Sequence, residues 1–451
     1  MRTIDRSRLH DLMDRERQTF RDTHPRSGQL AAQAKASLLY GVPMNWMTRW
    51  PGDYPVFVRE ASGARFTDVD RNEYVDFCLG DTGGMAGHGP KVAVDAIAEQ
   101  AAKGITLMLP TEDAAWVGAE MARRFGLPLW SFTLTATDAN RFVIRWARAI
   151  TGRPRIVVHN WCYHGTVDET IATLDERGRV VEREGNTGAP VPPEETTRVV
   201  EINDVEGLEA ALAHGDVAAC LFEPALTNIG IVLPEPGYHE AVRELCTRYG
   251  TLLIIDETHT ISAGPGGCTR AWKLQPDFVT IGKTLGAGVP SAAYGMSQAV
   301  VDRIYANTDY EMADVGGTGG TLAGNALSLA AMRATLGEVM TDEAFDRMIH
   351  LGERFEQGVH DVIASRELPW HVVRLGCRVE YLFHPEAART GSEAAAGQDG
   401  ELDPFIHLFL LNRGVLMTPF HNMSLMSPAT TADDVDRHTE VFAQAADELT
   451  S

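Results

Sequence analysis

Apolar residues recur along this chain with two periods, and the alternation between them predicts the fold. Segments 90 to 104 (PKVAVDAIAEQAAKG), 112 to 125 (EDAAWVGAEMARRF) and 138 to 151 (DANRFVIRWARAIT) repeat at the spacing of a helix with one buried face. Around them lie short, unbroken apolar runs: RIVVH (155 to 159), VAACLF (217 to 222), LLIID (252 to 256) and FVTIG (278 to 282). A strand apolar on both faces needs cover on both. Helix and strand in turn therefore predict a mostly parallel sheet between helical layers.

The ends of the chain read differently. Leu9, Met13 and Phe20 share one face of an N-terminal amphipathic helix, expected to lie as an arm on something else. PVFVREASGARFTDVDRNEYVDF (55 to 77) predicts a small antiparallel layer with turns at Ser62-Gly63 and near Asp68 to Asn72. Segments 175 to 197 and 385 to 404, rich in Gly, Pro, Glu and Ser, read as loops. A long helical pattern starts near Leu327. The expected divisions are 1–75, an N-terminal helix and antiparallel segment; 76–330, a large domain; and 331–451, a smaller C-terminal domain.

Composition narrows the class. The 451 residues are 44% hydrophobic and 23% charged, as in ordinary globular proteins, and their length exceeds what one small core needs. With 62 acidic against 40 basic residues, the net charge of -22 disfavours nucleic acid and anionic membranes as partners. Six scattered cysteines without a CxxC pair predict free thiols and a cytoplasmic location. Neither a signal peptide nor a membrane span is read from the sequence.

In parallel sheets ligands gather at the carboxyl ends of strands. Here those ends lead into NWCYHG (160 to 165), EPALTNIG (223 to 230), ETHT (257 to 260) and KTLGAG (283 to 288). Lys283, directly after an apolar strand, is costly to bury unless its amine is neutral or covalently used, and lysine forms Schiff bases with pyridoxal phosphate. Asp256, at a neighbouring strand end, suits a pyridinium nitrogen. TLTATDAN (133 to 140) opens a helix whose free N–H groups favour a phosphate, with hydroxyls from Thr135 and Thr137. The glycine-rich GGTGGTLAGN (316 to 325) offers a second close backbone approach to an anion. Tyr163 offers an aromatic face.

This constellation resembles the class III, or omega-type, aminotransferases of fold type I, in the branch that includes glutamate-1-semialdehyde aminomutase. PVFVREASGARFTDVDRNEYVDF, TATDA, CYHG, EP followed by NIG, IIDE, TIGKTLGAG with AAYG, and GTLAGN carry the resemblance, in the family's order, over roughly residues 40 to 445. It implies an α/β fold: a large domain with a mostly parallel seven-stranded sheet flanked by helices, and a smaller α+β domain built from the C-terminus and the N-terminal segment. It implies pyridoxal 5'-phosphate as cofactor, with Lys283 as its aldimine lysine and proton shuttle and Asp256 as partner of the ring nitrogen. Tyr163 would stack on the ring, and Thr135, Ala136 and Thr137 would form the phosphate turn. Thr321 would reach the phosphate from a second subunit, which makes a homodimer. Glu223, Asn228 and Thr258 would lie near the cofactor. Arg49 would hold a substrate carboxylate, with Asp81, His421 and Asn422 near the substrate. No metal is expected.

The reaction so implied is ping-pong transfer of an amino group from a small-molecule donor to an oxo acid, aldehyde or ketone. An aminomutase or an amino-acid racemase on the same scaffold is the alternative. Several departures from the family bear on this choice. Ala136 and Asp138 replace its usual Gly and Glu, and Thr258 replaces its usual Val. The segment TPFHNMSLMS (418 to 427) lacks the gating glutamate of the aminomutase, which argues against an intramolecular shift. The group His159, Cys162, His164 and Asp168 invites a metal reading, but its spacing matches no closed zinc pattern.

Overall fold

The run LLIID forms the middle strand of the main sheet in a computed structural model that describes residues 4–307 and 317–450. Gly316, which opens the second glycine-rich stretch, lies outside the described residues. The chain divides into two units. The larger holds Lys91–Phe345 with Ala388–Ala396; the smaller holds Met1–Pro90, Asp346–Ala387 and Gly397–Ser451.

In chain order, the large sheet comprises β1 (Leu129–Thr133), β2 (Arg155–His159), β3 (Thr197–Val200), β4 (Val217–Phe222), β5 (Leu252–Asp256), β6 (Phe278–Ile281) and β7 (Ala292–Met296). Their spatial order is β1-β7-β6-β5-β4-β2-β3. Strand β7 runs antiparallel to both β6 and β1, while β6, β5, β4, β2 and β3 pair in parallel. Every residue of β4, β5 and β6 is buried, as expected of strands covered on both faces. In the pairing of β5 with β6, Asp256 stands opposite Thr280.

Helix α1 (Ala136–Thr151) follows β1 directly. Thr135 caps it, its hydroxyl accepting from the Asp138 N–H at 3.2 Å, and Gly152 ends it at φ +69°, a left-handed conformation that L side chains resist.

Two expected loops contain regular structure. Within 175 to 197, Asp175 turns the chain by accepting the N–H groups of Arg177 and Arg179, closing a hairpin between Ala172–Leu174 and Val180–Glu182. Its strands are too short for an alternating pattern to show. Within 385 to 404 lies helix Gly391–Ala396, and helix Leu402–Leu411 begins before the segment ends. Pro404, which reads as a breaker, sits in that helix's first turn, where its missing N–H costs nothing.

In the smaller unit, Val58–Ser62, Arg65–Asp68 and Glu73–Asp76 form the expected antiparallel layer, joined in parallel by Val415–Leu416. A second sheet comprises His371–Leu375, Arg378–Leu382 and Met423–Leu425. The N-terminal helix Arg6–Thr23 is integral to this unit. Phe20 is fully buried with Phe66, Tyr74, Leu408 and Leu411, while Met13 packs at the edge of that cluster. Glu16, also buried, accepts hydrogen bonds from Arg413 (2.9 Å) and Asn412 (2.8 Å).

Candidate active site

Four parallel strands of the larger unit deliver polar groups at one edge of the sheet. Asp256 ends β5 and is buried. One carboxylate oxygen accepts from Asn140 Nδ2 and faces His164 Nδ1, each at 2.9 Å, and the other accepts the Thr258 N–H at 3.0 Å. Burial alone would raise this carboxyl. The His164 hydrogen bond and charge, with the donors from Thr258 and Asn140, outweigh burial and hold it down at about 2. His164 moves the opposite way. Burial disfavours its charge, but the sulfur of Cys162 and the Asp256 carboxylate raise it well above the ordinary histidine range. The result is a buried ion pair at a strand end, with His164 Nε2 lacking a hydrogen-bond partner among the described residues.

Lys283 follows β6 after Gly282. A Cβ on Gly282 would lie 3.0 Å from the Ala136 backbone nitrogen and 3.1 Å from its Cβ, so β6 ends tightly against the start of α1. Lys283 then adopts φ +60°, an uncommon conformation for a residue with a side chain. Its Nζ lies 2.8 Å from His259 Nε2.

The start of α1 has its own fixed neighbour. Gly165, at φ +79°, brings the turn after Tyr163 so close that a Cβ would fall 2.1 Å from Thr137 Oγ1. That hydroxyl accepts the Thr166 N–H at 3.1 Å. Thr135, Ala136 and Thr137 thus place the helix's first N–H groups beside the turn that carries Tyr163, a residue 42% exposed. Glu223 is buried after β4, and burial raises its carboxyl. It accepts from Thr227 Oγ1 at 2.5 Å, while Asn228 beyond it is half-buried. The Thr258 hydroxyl is buried without a partner among the described residues, and Thr321 is exposed.

The remaining expected residues belong to the smaller unit. Arg49 is exposed after a short helical turn, Asn45–Thr48. Asp81 sits among consecutive left-handed residues from Leu79 to Thr82, at φ values of +43°, +58°, +49° and +81°. His421 and Asn422 are buried: His421 Nδ1 lies 2.6 Å from Glu380, and Asn422 donates to Asp403 at 2.6 Å. Burial raises the Asp403 carboxyl to about 7.

Three side chains at this strand edge escaped the sequence reading. Asn140 looks like any polar residue within a helix, yet it is fully buried and ties Asp256, the His164 carbonyl and Thr280 together. His164 drew notice within CYHG and as a metal candidate, with no role of its own beside Asp256. Among the described residues no group of three or more His, Cys, Asp or Glu is placed to hold a metal ion. His259 carried no signal beyond its position after the paired acids.

The chemistry of this donor set fits pyridoxal 5'-phosphate. It offers a primary amine for the aldehyde, a buried ionised carboxylate for the ring nitrogen, an exposed aromatic face, and a helix start for the phosphate. Fold and site together define a pyridoxal-phosphate-dependent enzyme of fold type I. The profile described as "Aminotransferase class-III" matches residues 46–446, and the chain belongs to that family. A glutamate-1-semialdehyde 2,1-aminomutase of Brevibacillus brevis is 33% identical over 437 residues, spanning 93% of this chain and 98% of that one. The crystal structure of a glutamate-1-semialdehyde-aminomutase from Pseudomonas aeruginosa PAO1 is similar at TM-score 0.96, with 51% identity and 99% of each chain covered. A lysine-to-alanine variant of that protein was solved in complex with PMP. An omega-transaminase from Sphaerobacter thermophilus is similar at TM-score 0.85 and 26% identity, over 94% of this chain and 98% of that one.

Proposed function

We propose that the chain moves an amino group within a small carboxylate-bearing amino carbonyl compound, as an aminomutase of the glutamate-1-semialdehyde kind. The observation that carries this reading is the resemblance, over 99% of the chain, to the Pseudomonas protein described as that aminomutase. The sequence alone favoured transfer between two molecules; the relatives favour the shift within one.

Pyridoxal 5'-phosphate, when bound, supplies the carbonyl that captures amines and the ring that draws off electrons from a broken C–H bond. Lys283 holds the cofactor and, once released, carries the proton away from the substrate carbon. Asp256, kept ionised by His164 and Asn140, holds the ring nitrogen protonated. Tyr163 covers the ring face. Thr135, Ala136 and Thr137 receive the phosphate, with Glu223, Asn228 and Thr258 lining the cofactor's other edges. Arg49 binds the substrate carboxylate, and Asp81, His421 and Asn422 are assigned to substrate binding as well.

The working form is a homodimer in which Thr321 of one copy serves the other's phosphate. Ile105, Leu107, Met108 and Leu109 are exposed together, and the Ile105 carbonyl accepts the Ala326 N–H just beyond the turn that carries Thr321. A second copy of the chain would cover this apolar surface. Six free, buried cysteines suit the cytoplasm.

Transamination between two molecules is the second reading. It is favoured by the absence of any acid in segment 418 to 427. The purified enzyme given glutamate 1-semialdehyde alone should form the isomer with the amino group on the neighbouring carbon. Accumulation of pyridoxamine phosphate from an amino donor, with turnover only when a separate acceptor is added, would establish transamination instead. Lys283→Ala should lose the cofactor attachment that borohydride traps; a trapped cofactor in that variant would overturn the assignment of Lys283.

A further inference from the structure

Lys283 carries its amine on a flexible four-carbon stem, so its backbone alone does not place Nζ. The amine meets His259 Nε2, at 2.8 Å. The histidine itself is 8% exposed and follows Asp256 by three positions, on a turn that is held from both sides. On one side the Thr258 N–H donates to Asp256. On the other, the buried Glu257 carboxylate accepts from Thr260 Oγ1 (2.5 Å), the Cys268 N–H (3.1 Å), and the N–H and hydroxyl of Thr269 (2.5 and 2.6 Å). Helical bonding continues beyond it, the Ile261 N–H donating to the Glu257 carbonyl at 2.9 Å. Glu257, the second of the paired acids, is therefore the anchor of the turn that presents His259.

We propose that His259 is a positioning residue for Lys283. Nζ donates a hydrogen to Nε2, which fixes the direction of the remaining amine valences. The amine then returns to one place whenever it is released from the cofactor, ready to take a proton from substrate or to recapture the cofactor carbonyl. No bond to hydrogen is broken in this contact; its effect is to remove rotamer freedom from the stem before the reaction uses the amine.

This proposal rests on the reading of Lys283 as the cofactor lysine, and the test separates the two. The full chain, stripped of cofactor, is mixed with pyridoxal 5'-phosphate. Capture is followed by visible absorbance, then trapped with borohydride and located by mass spectrometry. Trapping on a residue other than Lys283 in the unmodified protein would overturn the reading of the lysine itself. With trapping on Lys283, His259→Leu and His259→Asn, whose amide stops short of Nζ, should slow capture on the order of ten- to a hundredfold and lower kcat with KM unchanged. His259→Gln, polar and long enough to reach, should restore capture to within about threefold of the unmodified protein. The Asn and Gln variants keep a polar side chain, so they decide the matter even if the Leu variant does not fold. Capture within about twofold of normal in the Asn variant, or equal slowing in the Asn and Gln variants, would overturn the positioning role.

Discussion

His164 Nδ1 lies 2.9 Å from Asp256 Oδ2, and both side chains are almost wholly buried. The pair explains how an acid can end an apolar strand. A carboxylate without cofactor would be an uncompensated buried charge, and the histidine compensates it within the chain.

The pair should make stability depend on pH in a defined window. Asp256 is depressed from 3.8 to about 2, so its contribution, about 2 kcal/mol, is present above pH ~4 and lost as pH falls through about 2. His164 is raised, so its contribution is present below the ordinary histidine value and lost as pH rises through the higher folded one. The stability difference between the unmodified protein and Asp256→Asn, read from urea unfolding of the cofactor-free chain, should therefore be widest between about pH 4 and 6.5. A difference that stays flat from pH 6 down to about 2 would contradict the ion pair.

Asn140→Leu should cost about 2–4 kcal/mol, because it orphans the His164 carbonyl and the Thr280 hydroxyl and removes one donor from Asp256. Denaturant unfolding measures this directly. Imidazole NMR of His164 should shift in the same variant, since the carboxylate it faces is no longer held.

At Gly165 the demand is geometric. Gly165→Ala must adopt φ +79° and place a Cβ 3.0 Å from the Thr137 Cα, which no side-chain rotation relieves. A loss of more than about 1 kcal/mol is expected, together with weaker cofactor retention on dialysis. Retention and melting temperature equal to those of the unmodified protein would show that the turn moves freely.

Local pattern made much of this legible. Four apolar runs coincide with β2, β4, β5 and β6 to within one residue, because strands covered on both faces need unbroken apolar sequence. Lys283 and Asp256 stood out because each is a charge set against such a run. Pattern also found the N-terminal helix, but not what covers it: Phe66 and Tyr74 come from the first sheet, and Leu408 and Leu411 from a helix nearly four hundred residues away.

By itself the sequence determined four strands of the main sheet, the antiparallel layer near the N-terminus, several helices, and which residues at the strand ends could carry chemistry, since these follow from periodicity and from the cost of burying charge. Tertiary structure alone decided who meets whom. Asn140 and His164 reach Asp256 across 116 and 92 residues of chain, and His259 meets Lys283 across 24. Periodicity is a property of neighbours along the chain. These contacts depend on which strands lie side by side, and the parallel order of the sheet sets that.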